Sequence, residues 1–185
     1  MAGPRQRPAT YQDLLDAPEG QRAELILGSL VLHPQPSGRH QAGSTVLSSI
    51  ISGPFHRGSG GPGGWWIVYE PETHLGENVL VPDLAGWLRE RMPALPDDHI
   101  FDVTPDWICE VLSPSTEIRD RCEKAEIYAA AGVSFLWLLD PDAPLLEAYE
   151  NQRGKWLRHA AFGPDDEVVA PPFGEAPFVL KTLWE

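Results

Sequence analysis

The sequence predicts an α/β fold around a mixed central sheet, and three observations predict it. Short apolar runs at WWIVYE, VLVPDLAGW, DWICEVL and VSFLWLL have strand length and are bounded by Gly, Pro or polar residues. The last two flank a helix-like segment, TEIRDRCEKAEIYAAAG, and a strand, helix, strand succession of that length implies a right-handed parallel crossover. A second helix-like stretch, HQAGSTVLSSIISGPF from His40 to about Phe55, precedes the first strand, so the order is αβββαβ. At 185 residues the chain suits one well-buried core, and residues 1–185 are read as a single domain with residues 1–9 flexible.

After the Pro-rich lead, TYQDLLDAP reads as a short helix stopped by Pro18. AELILGSLVLHP reads as an N-terminal β-hairpin turning at Gly28-Ser29 and ended by Pro34 and Pro36. In the next helix Val46, Leu47, Ile50 and Ile51 share a face, and Gly53-Pro54 is expected to break it. RGSGGPGG carries Gly58, Gly60 and Gly63 in GxGxxG spacing. It follows a helix and leads into a strand, the reverse of a dinucleotide-binding loop, so a flexible connection is expected. WWIVYE and VLVPDLAGW should pair across THLGEN, with Trp66, Val68 and Glu70 on one face of the first and Val79, Val81 and Asp83 on one face of the second. DWICEVL sets Ile108, Glu110 and Leu112 against Trp107, Cys109 and Val111. In the following helix Ser115 or Thr116 is the expected cap, Ile118, Cys122, Ala125 and Ala129 the buried stripe, and Gly132 the stop. LLEAYE and KWLRHAAF form a C-terminal β-hairpin, and the proline-rich tail wraps the sheet.

Charge and composition narrow the function. There are 14 Lys and Arg against 27 Asp and Glu, a net charge of −13, which opposes nonspecific attraction to a phosphate polymer. Any docking of nucleic acid must then be local. The two cysteines, Cys109 and Cys122, have neither zinc nor disulfide spacing. The longest strongly apolar stretch is too short to span a bilayer, and MAGPRQRP is not followed by the apolar segment of a signal peptide, so a cytoplasmic chain without membrane association is expected. The histidines lack zinc-ligand spacing and Ser113 lacks a GxSxG setting, which disfavours a zinc enzyme and an acyl-transfer nucleophile.

Two acids stand where apolar runs end or are interrupted. Asp83 follows Pro82, and Glu110 lies inside ICEVL, where an unpaired carboxylate would be costly to bury; it must meet a cation or open into a cleft. Asp120, Lys124 and Tyr128 recur every four residues and share one helix face, which brings a lysine toward the acids but also allows a plain i, i+4 pair of Lys124 with Asp120. Two carboxylates converging with a lysine are what metal-assisted phosphodiester hydrolysis needs.

The element order, with an acid on the second strand and another on the third, is similar to the core of the PD-(D/E)XK nuclease superfamily. VPDLAGWLRERMP, PDWICEVLSPST, DRCEKAEIYAAAGVSFLWLLDP and the opening LLDAPEGQRAELILGSLVLHPQPSGRH resemble, over nearly the whole chain, the restriction-endonuclease family called Uma-two. The resemblance implies a restriction-endonuclease-like fold and hydrolysis of DNA by a Mg²⁺- or Mn²⁺-dependent endonuclease, as a possible homodimer. Asp83 matches the first metal-binding acid and Glu110 the acid of the (D/E)XK element. Leu112 stands where the lysine of that element would be, and Lys124 is the matching candidate from the following helix. Glu70 is implied as a further metal-site carboxylate, with His40 and Asp120 as accessory residues. Two other readings stay open: a noncatalytic interaction domain on the same fold, favoured by the net charge and by Leu112, and a phosphoesterase acting on a small substrate.

Overall fold

In the computed structural model, which describes residues 7–185, the strand-like runs all form strands but divide between two sheets. Helix α1 (Tyr11–Leu15) is capped by Thr10, with Asp13 returning a bond to the Thr10 N–H. It leads to the hairpin of β1 (Arg22–Ile26) and β2 (Ser29–His33). The turn falls on Leu27-Gly28, one residue earlier than the sequence suggested. Both residues have positive φ (50° and 75°), the geometry that matches strand twist in a two-residue hairpin, and Ser29 already pairs with Ile26. The Ala9 N–H donates to Gly28 O (2.8 Å), anchoring the approach to α1; the expectation of flexibility over residues 1–9 lies, for residues 1–6, outside the described residues.

Helix α2 (Gly38–Ile51) is capped by the Ser37 hydroxyl. It does not break at Gly53-Pro54. The chain runs on through a π-helical turn, Ser52–His56, in which the Arg57 N–H reaches back five residues to Ser52 O (3.0 Å); the wider turn accommodates the Pro54 ring.

The expected hairpin becomes an excursion. Strands β3 (Trp65–Tyr69) and β6 (Leu84–Leu88) pair antiparallel, Tyr69 opposite Leu84, while β4 (Glu72–Leu75) and β5 (Asn78–Leu80) between them belong to the other sheet. The chain crosses between sheets at Glu70-Pro71 and returns at Val81-Pro82-Asp83, where the prolines supply no N–H to continue a ladder. Glu70 and Asp83 therefore sit at the two crossing points and not on strand faces as alternation suggested. Glu70 is left-handed (φ 44°), and its N–H donates to Asp83 O (3.1 Å).

Strands β7 (Ile100–Phe101) and β8 (Trp107–Val111) come next, followed by one helical stretch built of α3 (Glu117–Arg119), a π-helical turn (Asp120–Lys124) and α4 (Ala125–Ala131), which Gly132 ends with φ 87°. Then come β9 (Phe135–Asp140), β10 (Leu145–Asn151), β11 (Trp156–Phe162), and a short pair, β12 (Glu167–Val168) with β13 (Phe178–Val179). The larger sheet has the order β11-β10-β9-β8-β6-β3, antiparallel except for the parallel β8/β9 pair that the crossover required. The second sheet, β2-β1-β5-β4-β7, holds the N-terminal hairpin. This is a mixed α/β architecture of restriction-endonuclease type.

Alternation along β8 feeds two cores. Trp107, Cys109 and Val111 pack with Leu47 and Ile51 of α2 and with Phe173 of the tail; Ile108 and Leu112 pack with Ile26, Leu80 and Tyr128. Glu110 lies on that second face, between Ile108 and Leu112. The tail does wrap the sheet: the buried Phe173 ring sits 4.7 Å from Phe55, 5.1 Å from Trp65 and 4.9 Å from Trp107, centroid to centroid. Phe173→Ala is expected to destabilise the fold by about 3–5 kcal/mol in denaturant unfolding, since an aromatic cage cannot collapse to fill the void. A loss below about 1 kcal/mol would show the tail to be dispensable packing.

One expectation about the helix fails. Ile118 is 82% exposed and Cys122 is also exposed; Ala125 and Ala129 are buried, together with Asp120, Lys124 and Tyr128. The inward face is chosen by ion pairing with buried acids, and the π-helical turn, which adds a residue to one turn, moves Ile118 and Cys122 off the face that α4 buries.

Candidate active site

Glu110 is 1% exposed, and Lys124 from the π-helical turn lies 2.7 Å from its Oε1; the Tyr128 hydroxyl donates to the same oxygen. Lys124, also 1% exposed, donates to Glu24 Oε1 (3.0 Å) and lies 3.7 Å from Asp120 Oδ1. Glu24, in the middle of β1, is fully buried. Its Oε1 accepts the Val81 N–H (2.6 Å), fixing the strand end just before Asp83, and its Oε2 is 2.6 Å from His33 Nε2 at an angle poor for a hydrogen bond.

Asp83 closes the other side. Its Oδ2 accepts the Val111 N–H (2.7 Å) and lies 3.4 Å from His40 Nε2; its Oδ1 accepts from Arg22 Nη1 (3.2 Å). The same Arg22 nitrogen reaches Glu70 Oε1 (3.1 Å), so a guanidinium stands between Glu70 and Asp83. Glu110, Lys124 and Asp120 share one buried cluster with Glu24, and Asp83 forms a second, adjoining cluster with His40, Arg22 and, through Arg22, Glu70; no side-chain hydrogen bond or ion pair among the described residues joins Asp83 to Glu110. Sequence reasoning missed Glu24, Arg22 and His33. The available signal was an acid inside the apolar run AELI, the same kind of interruption that marked Glu110.

The acids differ in electrostatic state. Burial, with Asp120, Asp83 and Glu24 nearby and Lys124 opposing, pushes Glu110 up to about 8. Burial also acts on Glu24, but Lys124, His33 and the Val81 N–H outweigh it and hold Glu24 at about 2. Asp83 is lowered despite burial, because His40, Arg22 and the Val111 N–H favour its charge. Burial raises Asp120. Lys124 loses from burial but is raised by Glu110, Glu24 and Asp120, and it stays cationic. At neutral pH Asp83 and Glu24 are ionised and Lys124 is charged, while Glu110 holds a proton far more readily than an ordinary carboxyl.

The sequence model of the family Uma2, described as "Putative restriction endonuclease", matches residues 8–180. The chain belongs to the Uma2 family. Among solved structures, a protein from Anabaena variabilis described as a putative nuclease belonging to DUF820 is 26% identical, with a TM-score of 0.77 over 96% of this chain and 98% of that one. Among curated proteins nothing matches. The Uma2 match spans every residue of the two clusters just described. No helix among the described residues is long and apolar enough to cross a membrane.

No set of three or more His, Cys, Asp and Glu side chains among the described residues is arranged around a point fit for a metal ion. The oxygen chemistry nevertheless suits a hard divalent cation. Magnesium is commonly held by one or two carboxylates with water and substrate phosphate completing its shell, so a preformed cage is not required. Asp83 Oδ1 has only a 3.2 Å guanidinium contact, and Glu110 Oε2 has no hydrogen-bond partner among the described residues.

Proposed function

We propose that this chain is a divalent-cation-dependent nuclease that hydrolyses phosphodiester bonds of DNA, with Mg²⁺ or Mn²⁺ held by Asp83 and Glu110. The observation that carries the reading is the sealed Glu110–Lys124 contact beside Asp83: a lysine kept charged by three acids, next to a carboxylate with one oxygen unengaged. A bound cation would polarise the phosphate and make water a better nucleophile near neutral pH. The chain's own groups supply the rest. Lys124 presents positive charge toward the phosphate oxygens as negative charge develops on them, in a site that excludes bulk water. Glu24 and Tyr128 hold Lys124 and Glu110 in place. Arg22 and His40 orient Asp83 and can meet a phosphate entering beside it. Glu70, through Arg22, tunes the approach and is the weaker candidate for direct metal contact.

The test is cleavage of labelled DNA with Mg²⁺ or Mn²⁺, comparing wild type with Asp83→Asn, which keeps an acceptor for the Val111 N–H. The variant is expected to lose at least ~10²-fold in rate, since removing a metal ligand forfeits several kcal/mol of transition-state stabilisation. Equal rates in the two proteins would remove Asp83 from the reaction.

A further inference from the structure

Beside Asp83 lie two cavities that share Arg22 and the strap Pro34-Gln35-Pro36, which links β2 to α2. The inner one, about 200 Å³, is lined by His33, His40, Ser113, Ser115 and Thr116. The outer one, about 280 Å³, is lined by Gln41, Tyr69, Glu70 and Val81. In a chain of net charge −13 the inner cavity has no carboxylate among its lining residues. Its hydroxyls form a cluster, Ser113 Oγ lying 3.0 Å from both Ser115 Oγ and Thr116 Oγ1. Both partners of Asp83 besides the backbone, Arg22 and His40, face this space, so a group seated there is adjacent to the acid.

At the junction, Arg22 uses only Nη1 on Glu70 and Asp83; its Nε and Nη2 donate to no protein group among the described residues. Just outside, Tyr69 is 45% exposed at the end of β3, an aromatic side chain with an open surface on the wall of the outer cavity. The strap is itself fixed, Gln35 Nε2 donating to Gly20 O (2.8 Å). Hydroxyls and a guanidinium inside with an aromatic ring outside are the parts with which proteins grip a single polynucleotide strand: polar donors for phosphate and a ring for the base.

We propose that the site takes an unpaired DNA strand, with a phosphate seated among Arg22, Ser113, Ser115 and Thr116 and a neighbouring base stacked on Tyr69. This rests on the nuclease reading above and narrows its substrate. The geometry weighs against a duplex. Asp83 and Glu110 are 2% and 1% exposed, and the cavities that reach Asp83's partners Arg22 and His40 hold only a few hundred Å³ beneath a proline strap, space for one chain and not for two paired strands. The net negative charge points the same way, since docking on a duplex depends on neutralising many phosphates at once, whereas stacking one base does not.

The experiment pairs binding with cleavage. Fluorescence anisotropy of a labelled single-stranded oligonucleotide and of a hairpin duplex of the same sequence is measured with Ca²⁺, and cleavage of both with Mg²⁺ or Mn²⁺, for wild type, Tyr69→Ala and Tyr69→Trp. The single strand should bind at least ~10-fold more tightly than the duplex, Tyr69→Ala should weaken it about 10-fold, and Tyr69→Trp should bind like wild type, as a stacking contact requires. Duplex binding or cleavage equal to that of the single strand overturns the proposal, and so does Tyr69→Ala with unchanged single-strand affinity. Single-strand binding that depends on Tyr69, with no cleavage of either substrate, upholds the strand cleft and sinks the nuclease reading. Cleavage of the duplex alone does the opposite.

Discussion

Glu110→Gln is expected to stop hydrolysis while leaving the protein as stable as wild type below about pH 4.5 and more stable than wild type from neutral pH upward. Gln keeps an oxygen for Tyr128 and Lys124 but cannot bind a hard cation as a carboxylate does, so a loss of at least ~10²-fold follows from the missing metal contact. The stability half rests on linkage. Glu110 has a folded pKa of about 8 against an ordinary 4.5. Between those values the unfolded chain has released the proton and the native protein still holds it, so native stability falls as pH rises through that window and stays lower above it. Below about pH 4.5 both states are protonated and no penalty exists. Gln does not titrate, so this part of the pH dependence disappears in the variant. Metal binding must displace the same proton, so wild-type cleavage should rise as pH approaches about 8. Thermal melts from pH 5 to 9 with parallel cleavage assays check both halves; a variant that melts below wild type at pH 7 would show that Glu110 is already ionised there in the native state.

Lys124→Met should be the most damaging single change for the fold. It leaves Glu24, Glu110 and Asp120 buried around an uncharged side chain, and breaking a buried ion network by removing one partner costs about 3–5 kcal/mol. Glu24 is exposed to this most, because its low pKa depends on the lysine. Adding Glu24→Gln removes the stranded charge, so the double variant should be more stable than Lys124→Met alone, with a coupling of at least ~1 kcal/mol in denaturant unfolding. Activity should stay absent in both. Strict additivity would mean that Lys124 and Glu24 do not act on each other, whatever their 3.0 Å separation.

How much of this could be read beforehand depended on where a charge broke an apolar pattern. Glu110 and Asp83 were legible because each stands in or beside a strand-like run, and Lys124 because its four-residue spacing from Asp120 and Tyr128 set one helix face. The αβββαβ order was legible because its strands and helices have distinct periods. The division into two sheets was not, since a hairpin and an excursion that changes sheets share the same local alternation; only Pro71 and Pro82 hinted at the crossings. The stripe of Ile118 and Cys122 misled because the helix holds a π-helical turn, which no hydrophobic period announces. Arg22 and Glu24 escaped notice because their partners are distant along the chain and local pattern says nothing about them.

That distance has a kinetic side. Glu24 and Lys124 are separated by 100 positions, yet Lys124 is the main compensation for Glu24 inside the protein, and Glu24 stands second to Glu110 in compensating Lys124. Glu24 cannot be buried cheaply until Lys124 arrives, so docking of the N-terminal hairpin onto the second half of the chain is expected to be a late step that must close a long loop before any reward is gained. A growing chain on the ribosome carries Glu24 well before Lys124 has been made. On the proposed function, the site would then be completed only when the two halves lock together, and a partly folded molecule would have no competent site with which to cut.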